Sequence, residues 1–375
     1  MYIVNPVFHE GLMKYVSYTL TGEAIKEQIT RRYSDFFALR EKLKESWPGI
    51  YIPNLPPKQS IGNTDKNFIR KRLRLMNKFL YKISGYSFLN TCEEVVSFQT
   101  CKDDYAKTVG KKKEITVSNI LDNFKAAFPD YPENYDILIG KSRIKEFDSL
   151  LRKTASNLKT FHEGIQKCVE KRDEEMEDYF AMMKEMEKYE IEVLKPLAEN
   201  KDDKLIFANP ASPAPKQKAD DLEKILNNPF VALDGWLEEE RLDIDAAIES
   251  IESLNNLNSR SEKMGMKIES IDFEIKQLQY GSQGFLSGIF KSKEAKMSEL
   301  ENSKTSAQDD MQKLIIINKM AHYRMEKFIG EFKEEKANSY YKTIKLYAYL
   351  QRDNNLYNKE LWTEAKNALN AIKPS

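Results

Sequence analysis

The chain has 375 residues, 31% of them charged and 41% hydrophobic, and its 59 Lys and Arg balance 59 Asp and Glu to a formal net charge of zero. With only 14 Gly and 13 Pro the composition is that of helix-rich structure rather than disorder, and no run approaches the roughly 20 apolar residues of a membrane span. No basic-then-apolar leader opens at Met1, and Cys92, Cys101 and Cys168 show neither metal spacing nor full pairing, so a cytosolic, reducing compartment is expected. Residues 2–32 are predicted as strands, because Val16, Tyr18 and Leu20 alternate with polar partners between turns near Gly11 and Gly22. From Ser34 the pattern is helical through Phe36, Phe37, Leu39, Leu43 and Trp47, stopped by Pro48 and Gly49. A second helical stretch follows with Phe68, Leu73, Leu75, Met76, Phe79, Leu80 and Ile83. A short helix over Phe88 to Phe98 closes this first region.

Three segments stand in order within that region: Arg31-Arg32-Tyr33-Ser34-Asp35-Phe36, Ile52-Pro53-Asn54-Leu55-Pro56-Pro57-Lys58 and Phe68-Ile69-Arg70-Lys71-Arg72. Fixed cations beside a flat aromatic surface suit a phosphorylated sugar ring, since a guanidinium can hold a phosphate through two hydrogen bonds at once. Together the segments resemble the signatures of the PX domain, a phosphoinositide-binding module. The resemblance implies an α+β fold of a three-stranded antiparallel sheet plus helices over residues 1–101. It also implies a site in which Arg32 grips a 3-phosphate, Tyr33 floors the inositol ring, Lys58 reaches the 1-phosphate and Arg72 holds the 4- and 5-hydroxyls. Such a set is similar to sites for phosphatidylinositol 3-phosphate, a lipid of early endosomes. Arg70, Lys71 and Arg74 read as a solvated helix face or as a diffuse attraction to anionic lipid. The loop from Gln59 to Asn67 has one large apolar residue, Ile61, where the family often dips several into the bilayer.

Residues 102–141 read as a linker centred on Lys111, Lys112 and Lys113. It carries an amphipathic helix with Val117, Ile120, Leu121, Phe124 and Phe128 on one face, ended by Pro129. Two readings stay open for it: an interfacial helix contacting lipid through Phe124 and Phe128 beside the lysine cluster, or a helix packed on its neighbours.

From Ser142 to residue 373 the chain is nearly all helix, expected as three long segments. The first runs from Ser142 to Leu194, the second from Gln217 to Tyr280 with irregularities at Pro229 and Gly235, and the third from Ser292 to Ala371. At 1.5 Å per residue an 80-residue helix is roughly 120 Å long, so the apolar stripes need one another and a second chain for burial. The segments Glu326-Lys327-Phe328, Phe332 to Lys336, Tyr347 and Leu361-Trp362 to Ala365-Lys366 resemble the closing helix of the all-α, three-helix BAR domain of sorting nexins. The pair of resemblances implies a PX-BAR sorting nexin: a dimeric, peripheral protein of the early endosome that senses or induces curvature in sorting and recycling, in a branch linked to autophagy. The partner is a second copy or another sorting nexin, and the sequence names no cargo or coat protein. The alternative is a coiled-coil scaffold or tether that its lipid site merely localises. In the turn before the last helix, Phe285 and Phe290, beside Lys291 and Lys293, either cap the helical core or contact membrane.

Catalysis is not expected. His9, His162 and His322 lie far apart, and no phosphate loop, dinucleotide fingerprint or metalloprotease segment occurs, so neither cofactor nor metal is called for. The charge is unevenly spread: residues 1–100 hold 15 Lys and Arg against 9 Asp and Glu, and the rest 44 against 50. A basic first region suits an anionic membrane. Without a stacking platform or a nucleic-acid motif, no nucleic-acid partner is expected.

Overall fold

The computed structural model describes residues 1–10, 14–23, 25, 27–58, 65–110, 115–132, 134–197, 205–280 and 290–371. Three strands, β1 (Tyr2–His9), β2 (Tyr15–Thr21) and β3 (Ile29–Arg32), form an antiparallel sheet in that order. The alternation along β2 buries Val16, Tyr18 and Leu20. Across the β2–β3 ladder Tyr18 faces Arg31 and Ser17 faces Arg32. Successive side chains leave opposite faces of a strand, so the two arginines part company: Arg31 points into the core and Arg32 does not.

Helix α1 (Tyr33–Ser46) starts directly at the end of β3. Helix α2 (Lys66–Gly85) is begun by Asp65, whose carboxylate accepts from the amides of Asn67 and Phe68, the usual way of satisfying first-turn donors. The single short helix expected over 88–98 is two, α3 (Ser87–Asn90) and α4 (Glu93–Thr100), because Cys92 is extended at φ −69 and ψ 156. A further turn of helix, α5 (Tyr105–Gly110), lies where a linker is expected. Helix α6 (Val117–Ala127) matches the amphipathic segment, and Thr116 and Asn119 cap it reciprocally.

The long helices follow. Helix α7 (Ile137–Tyr189) begins ahead of Ser142 and passes into a π turn, Glu190–Leu194, and then α8 (Lys195–Leu197). The helix expected over 217–280 is interrupted. Helix α9 (Ala214–Ile225) and α10 (Phe230–Tyr280) flank Asn227-Asn228-Pro229, where proline lacks an amide to continue the ladder. The Asn228 side chain donates instead to the Val169 carbonyl at 2.9 Å and to Asp173 at 2.8 Å. Gly235 sits inside α10 without a break. Helix α11 (Phe290–Ala371) completes an α+β region followed by an all-α region.

The chain packs as two compact units, Met1–Ala155 with Leu242–Phe332, and Ser156–Arg241 with Lys333–Ser375. In the first, Phe36, Leu39, Leu43, Met76 and Phe79 form a core under the sheet. The same unit packs the turn after α1 onto α10 and α11. Gly49 has φ +78°, and a Cβ there would stand 3.1 Å from Leu254 Cδ1 and 3.2 Å from Ala321 Cβ; glycine answers both the left-handed backbone and the close approach. Next to it Tyr51 stacks on Phe328 with ring centroids 4.7 Å apart. In the second unit Met183, Phe207, Leu222, Leu226 and Leu361 are buried together. There Glu190 Oε2 accepts from the consecutive amides of Ile206, Phe207 and Ala208 at 3.0, 2.8 and 2.8 Å.

Candidate headgroup-binding site

The inward Arg31 is consumed by the fold. Its guanidinium donates to the carbonyls of Phe98 (2.8 and 3.1 Å), Cys101 (2.6 Å) and Thr30 (2.9 Å), fastening β3 to the end of α4. Arg32, one step on, faces the other way. Its backbone N–H donates to Asp35 at 2.9 Å, which starts α1, and its half-exposed guanidinium pairs with Asp104. The guanidinium carbon also lies 5.8 Å from the Tyr15 ring centroid.

Tyr33 opens α1. Its hydroxyl donates to the Pro56 carbonyl at 2.6 Å, drawing the proline-rich loop onto the strand–helix junction. Lys58, just beyond Pro56 and Pro57, is exposed. On α2 the spacing of four between Phe68 and Arg72 places both on one face. The Arg72 guanidinium carbon lies 4.3 Å from the Phe68 centroid and 4.4 Å from the Tyr33 centroid. A guanidinium between two ring faces gains from both quadrupoles.

Arg72 is 7% exposed, and its Nε and Nη2 have no hydrogen-bond partner. Buried donors without partners are uncommon, and those of a charged group are costly. Burial lowers the Arg72 pKa, with Tyr18 and Tyr33 working against it; burial likewise raises that of Tyr33, against Arg72 and Arg40. The structure thus brings Tyr33, Phe68 and Arg72 together, with Arg32 adjacent to Tyr33 in the chain and Lys58 at the end of the loop that Tyr33 holds. Arg70 and Lys71 are exposed and Arg74 is half-buried.

The other candidates fare differently. Phe124 is completely buried and stacks on Trp47 at 5.6 Å, and Phe128 meets Trp47 and Phe88 edge-on. The apolar face of α6 is therefore turned onto α1 and α3, the packed alternative, and Phe124 is not available as an exposed membrane contact. Lys111, Lys112, Lys113 and Phe285 lie outside the described residues, as do the side chains of Phe290, Lys291 and Lys293. A cavity of about 450 Å³ is lined by Lys42, Glu93, Glu94 and Asp122 among others, a lining of the wrong sign for a phosphate.

One group of metal-ligating side chains occurs among the described residues: His162, Asp234 and Glu238 bring ligand atoms within 4.8 Å of one another. Arg241 Nη1 lies 3.1 Å from His162 Nδ1. A guanidinium only donates, so Nδ1 accepts and the opposite Nε2–H donates to Asp234 at 2.9 Å. Both ring nitrogens are engaged, and a cation already stands beside the ring.

Residues 19–102 match the family model described as PX domain. Sorting nexin-33 of Homo sapiens is 27% identical over 144 residues, 38% of this chain and 25% of that protein. Sorting nexin MVP1 of Candida albicans is 34% identical over 104 residues, 25% of this chain and 14% of that protein. These curated relatives are thus matched over a quarter of their length or less. Among solved structures, the cryo-EM structure of the SNX-BAR Mvp1 tetramer aligns over 97% of this chain and 99% of that one with a TM-score of 0.53 and 16% identity. At that identity the likeness is one of fold, and it runs through both the sheet-containing region and the long helices.

Proposed function

We propose that this chain, which joins a PX domain and its sorting-nexin homology to the helical fold of an SNX-BAR protein, binds phosphatidylinositol 3-phosphate and works as a curvature-sensing or curvature-inducing dimer on early endosomes, in sorting and recycling. The observation that carries the reading is Arg72, buried between the Tyr33 and Phe68 rings with two donors unanswered. A headgroup supplies what they lack. Arg32 stands at the junction that would meet the 3-phosphate, and exposed Lys58 would reach the 1-phosphate. The same pocket chemistry gives no role to a nucleophile or general base, which favours a binding protein over an enzyme. No helix among the described residues is long and apolar enough to cross a membrane, so contact through a lipid headgroup suits the chain.

Dimerisation is supported by exposed apolar side chains on the second unit, among them Tyr189, Ile191, Tyr341, Leu346 and Leu369, which a second copy or another sorting nexin would cover. Two headgroup pockets per particle would raise avidity beyond either contact. The test is vesicle sedimentation across the phosphoinositides with the parent, Arg32→Ala and Arg72→Ala. Selective binding to the 3-phosphate lipid that Arg32→Ala abolishes is expected. Equal binding by parent and Arg32→Ala would sink the assignment. Tubulation of those vesicles separates a remodelling dimer from a scaffold that the lipid only localises.

A further inference from the structure

Arg72 is not alone in lacking a partner. Tyr18, on β2, is 1% exposed, and its hydroxyl likewise has no hydrogen-bond partner. Tyr33, the other tyrosine coupled to Arg72, is different: its hydroxyl is already used by the Pro56 carbonyl. Three buried polar atoms are therefore unanswered in one neighbourhood, Arg72 Nε, Arg72 Nη2 and Tyr18 Oη. Each such group left unmet is costly, and three together offer partners to a polar ligand. Tyr18 and Arg72 are close enough to act on one another electrostatically: burial raises the Tyr18 pKa and Arg72 lowers it. The phenol stays protonated at neutral pH and can both donate and accept.

We infer that the Tyr18 hydroxyl is a direct ligand of the headgroup, pairing with the inositol ring hydroxyls that Arg72 engages and so setting which headgroups fit. The inference rests on the headgroup reading of the Arg72 site and deepens it. Arg72 is the cation held between the Tyr33 and Phe68 rings, with Arg40 also acting on Tyr33. A second phosphate placed against it would bury more negative charge than one guanidinium offsets, which is strongly unfavourable away from water. A pair of vicinal hydroxyls is neutral. It accepts from the two guanidinium N–H groups, and its own protons can go to Tyr18 Oη. Hydroxyl pairing of this kind discriminates sharply, because a ligand that fails to supply it leaves buried groups unpaired.

The experiment uses the full chain with Arg32→Ala, Tyr18→Phe and the parent. Thermal melting is followed without ligand and with soluble inositol 1,3-bisphosphate, and binding is measured to phosphatidylcholine vesicles holding phosphatidylinositol 3-phosphate or its 3,5-bisphosphate counterpart. Tyr18→Phe removes a hydroxyl with no partner in the free chain, so unliganded melting stays the same or rises. Affinity for the 3-phosphate lipid should fall about two- to tenfold, the worth of one neutral hydrogen bond, with a smaller stabilisation by the soluble headgroup. Parent-like binding by Tyr18→Phe, while Arg32→Ala binds nothing, overturns the role of Tyr18 and leaves the headgroup site standing. A drop in unliganded melting with equal losses on both lipids also overturns it, since that pattern belongs to a packing residue. If Arg32→Ala binds as well as the parent, the headgroup reading itself falls and takes this inference with it.

Discussion

The Lys82 ammonium donates to Asp243 Oδ2 at 2.6 Å, an ion pair linking α2 to α10 with both side chains almost wholly buried. The Tyr51 hydroxyl donates to the other carboxylate oxygen at 3.0 Å. Charges taken out of water are tolerated only when paired and hydrogen-bonded, and here one carboxylate serves a helix and a loop of the sheet-containing region together. The contact is a fixed attachment within the first unit.

Removing one partner should be costly. Lys82→Met takes this cation from a buried carboxylate, and the expected loss is about 3–5 kcal/mol. Asp243→Leu should lose a similar amount by taking the acceptor from both the ammonium and the Tyr51 hydroxyl. Denaturant unfolding measures both, and a loss near that of an exposed pair would show the contact to be solvent-screened.

A second expectation concerns Asp104. In the free chain this carboxylate holds Arg32, and its other oxygen accepts from the Lys107 amide at 3.2 Å. On the proposed reading a phosphate would take its place. Asp104→Asn keeps an acceptor for Lys107 and weakens the hold on Arg32, so headgroup affinity should rise about two- to fivefold, the range of a partly exposed ion pair. Titration with the 3-phosphate lipid checks this against Asp103→Asn, an exposed neighbour carrying the same charge change. Equal gains from both variants would mean that net charge alone is at work.

The inward face of α6 predicts a stability defect rather than a lipid defect. Phe124→Ala empties a fully buried site against Trp47, for an expected cost of about 3–5 kcal/mol. Melting without lipid should drop by several degrees. An unchanged melt combined with weaker vesicle binding would restore the interfacial reading of this helix.

His322 gives the first unit a dependence on pH. The ring is buried and its Nδ1 lies 2.9 Å from the Asn318 carbonyl. Burial pushes its pKa below the ordinary 6.5, the Asn318 carbonyl pulls it up, Lys141 lowers it and Glu326 raises it. With the folded value depressed, the unfolded chain takes up the proton first, so stability is full above about pH 6.5 and falls as the pH drops through that value. One such group contributes at most about 1.4 kcal/mol per pH unit. Unfolding measured from pH 7 to 5 should show a shallower loss in His322→Gln than in the parent.

The ordered Arg32-Tyr33, proline-loop and Phe68-to-Arg72 segments mark the candidate site in the amino-acid sequence because each is a local pattern. Features that depend on partners distant in the chain are not legible there. That Arg31 is internal follows from strand parity, but its acceptors are carbonyls some 70 positions away. The Asp104 lock and the orphan Tyr18 hydroxyl are likewise products of folding. For α6 the periodicity defines an apolar face and is silent on what covers it. Pro229 marks the break before Phe230, yet the sharpness of that break comes from Asn228 turning back to α7. Helix α5 is too short to leave a periodic signature.

The parity of β3 has one more consequence, for which lengths of this strand can survive. Arg31 and Arg32 differ only in which side of the ribbon they occupy, so adding or deleting one residue between Ile29 and Arg31 would exchange their duties. The residue now tethering Phe98 and Cys101 would face outward, and Arg32, the cation proposed for the ligand, would be entombed. A two-residue change preserves the assignment. Tolerance to insertions at this junction should therefore alternate between odd and even, with the odd lengths losing fold and ligand together.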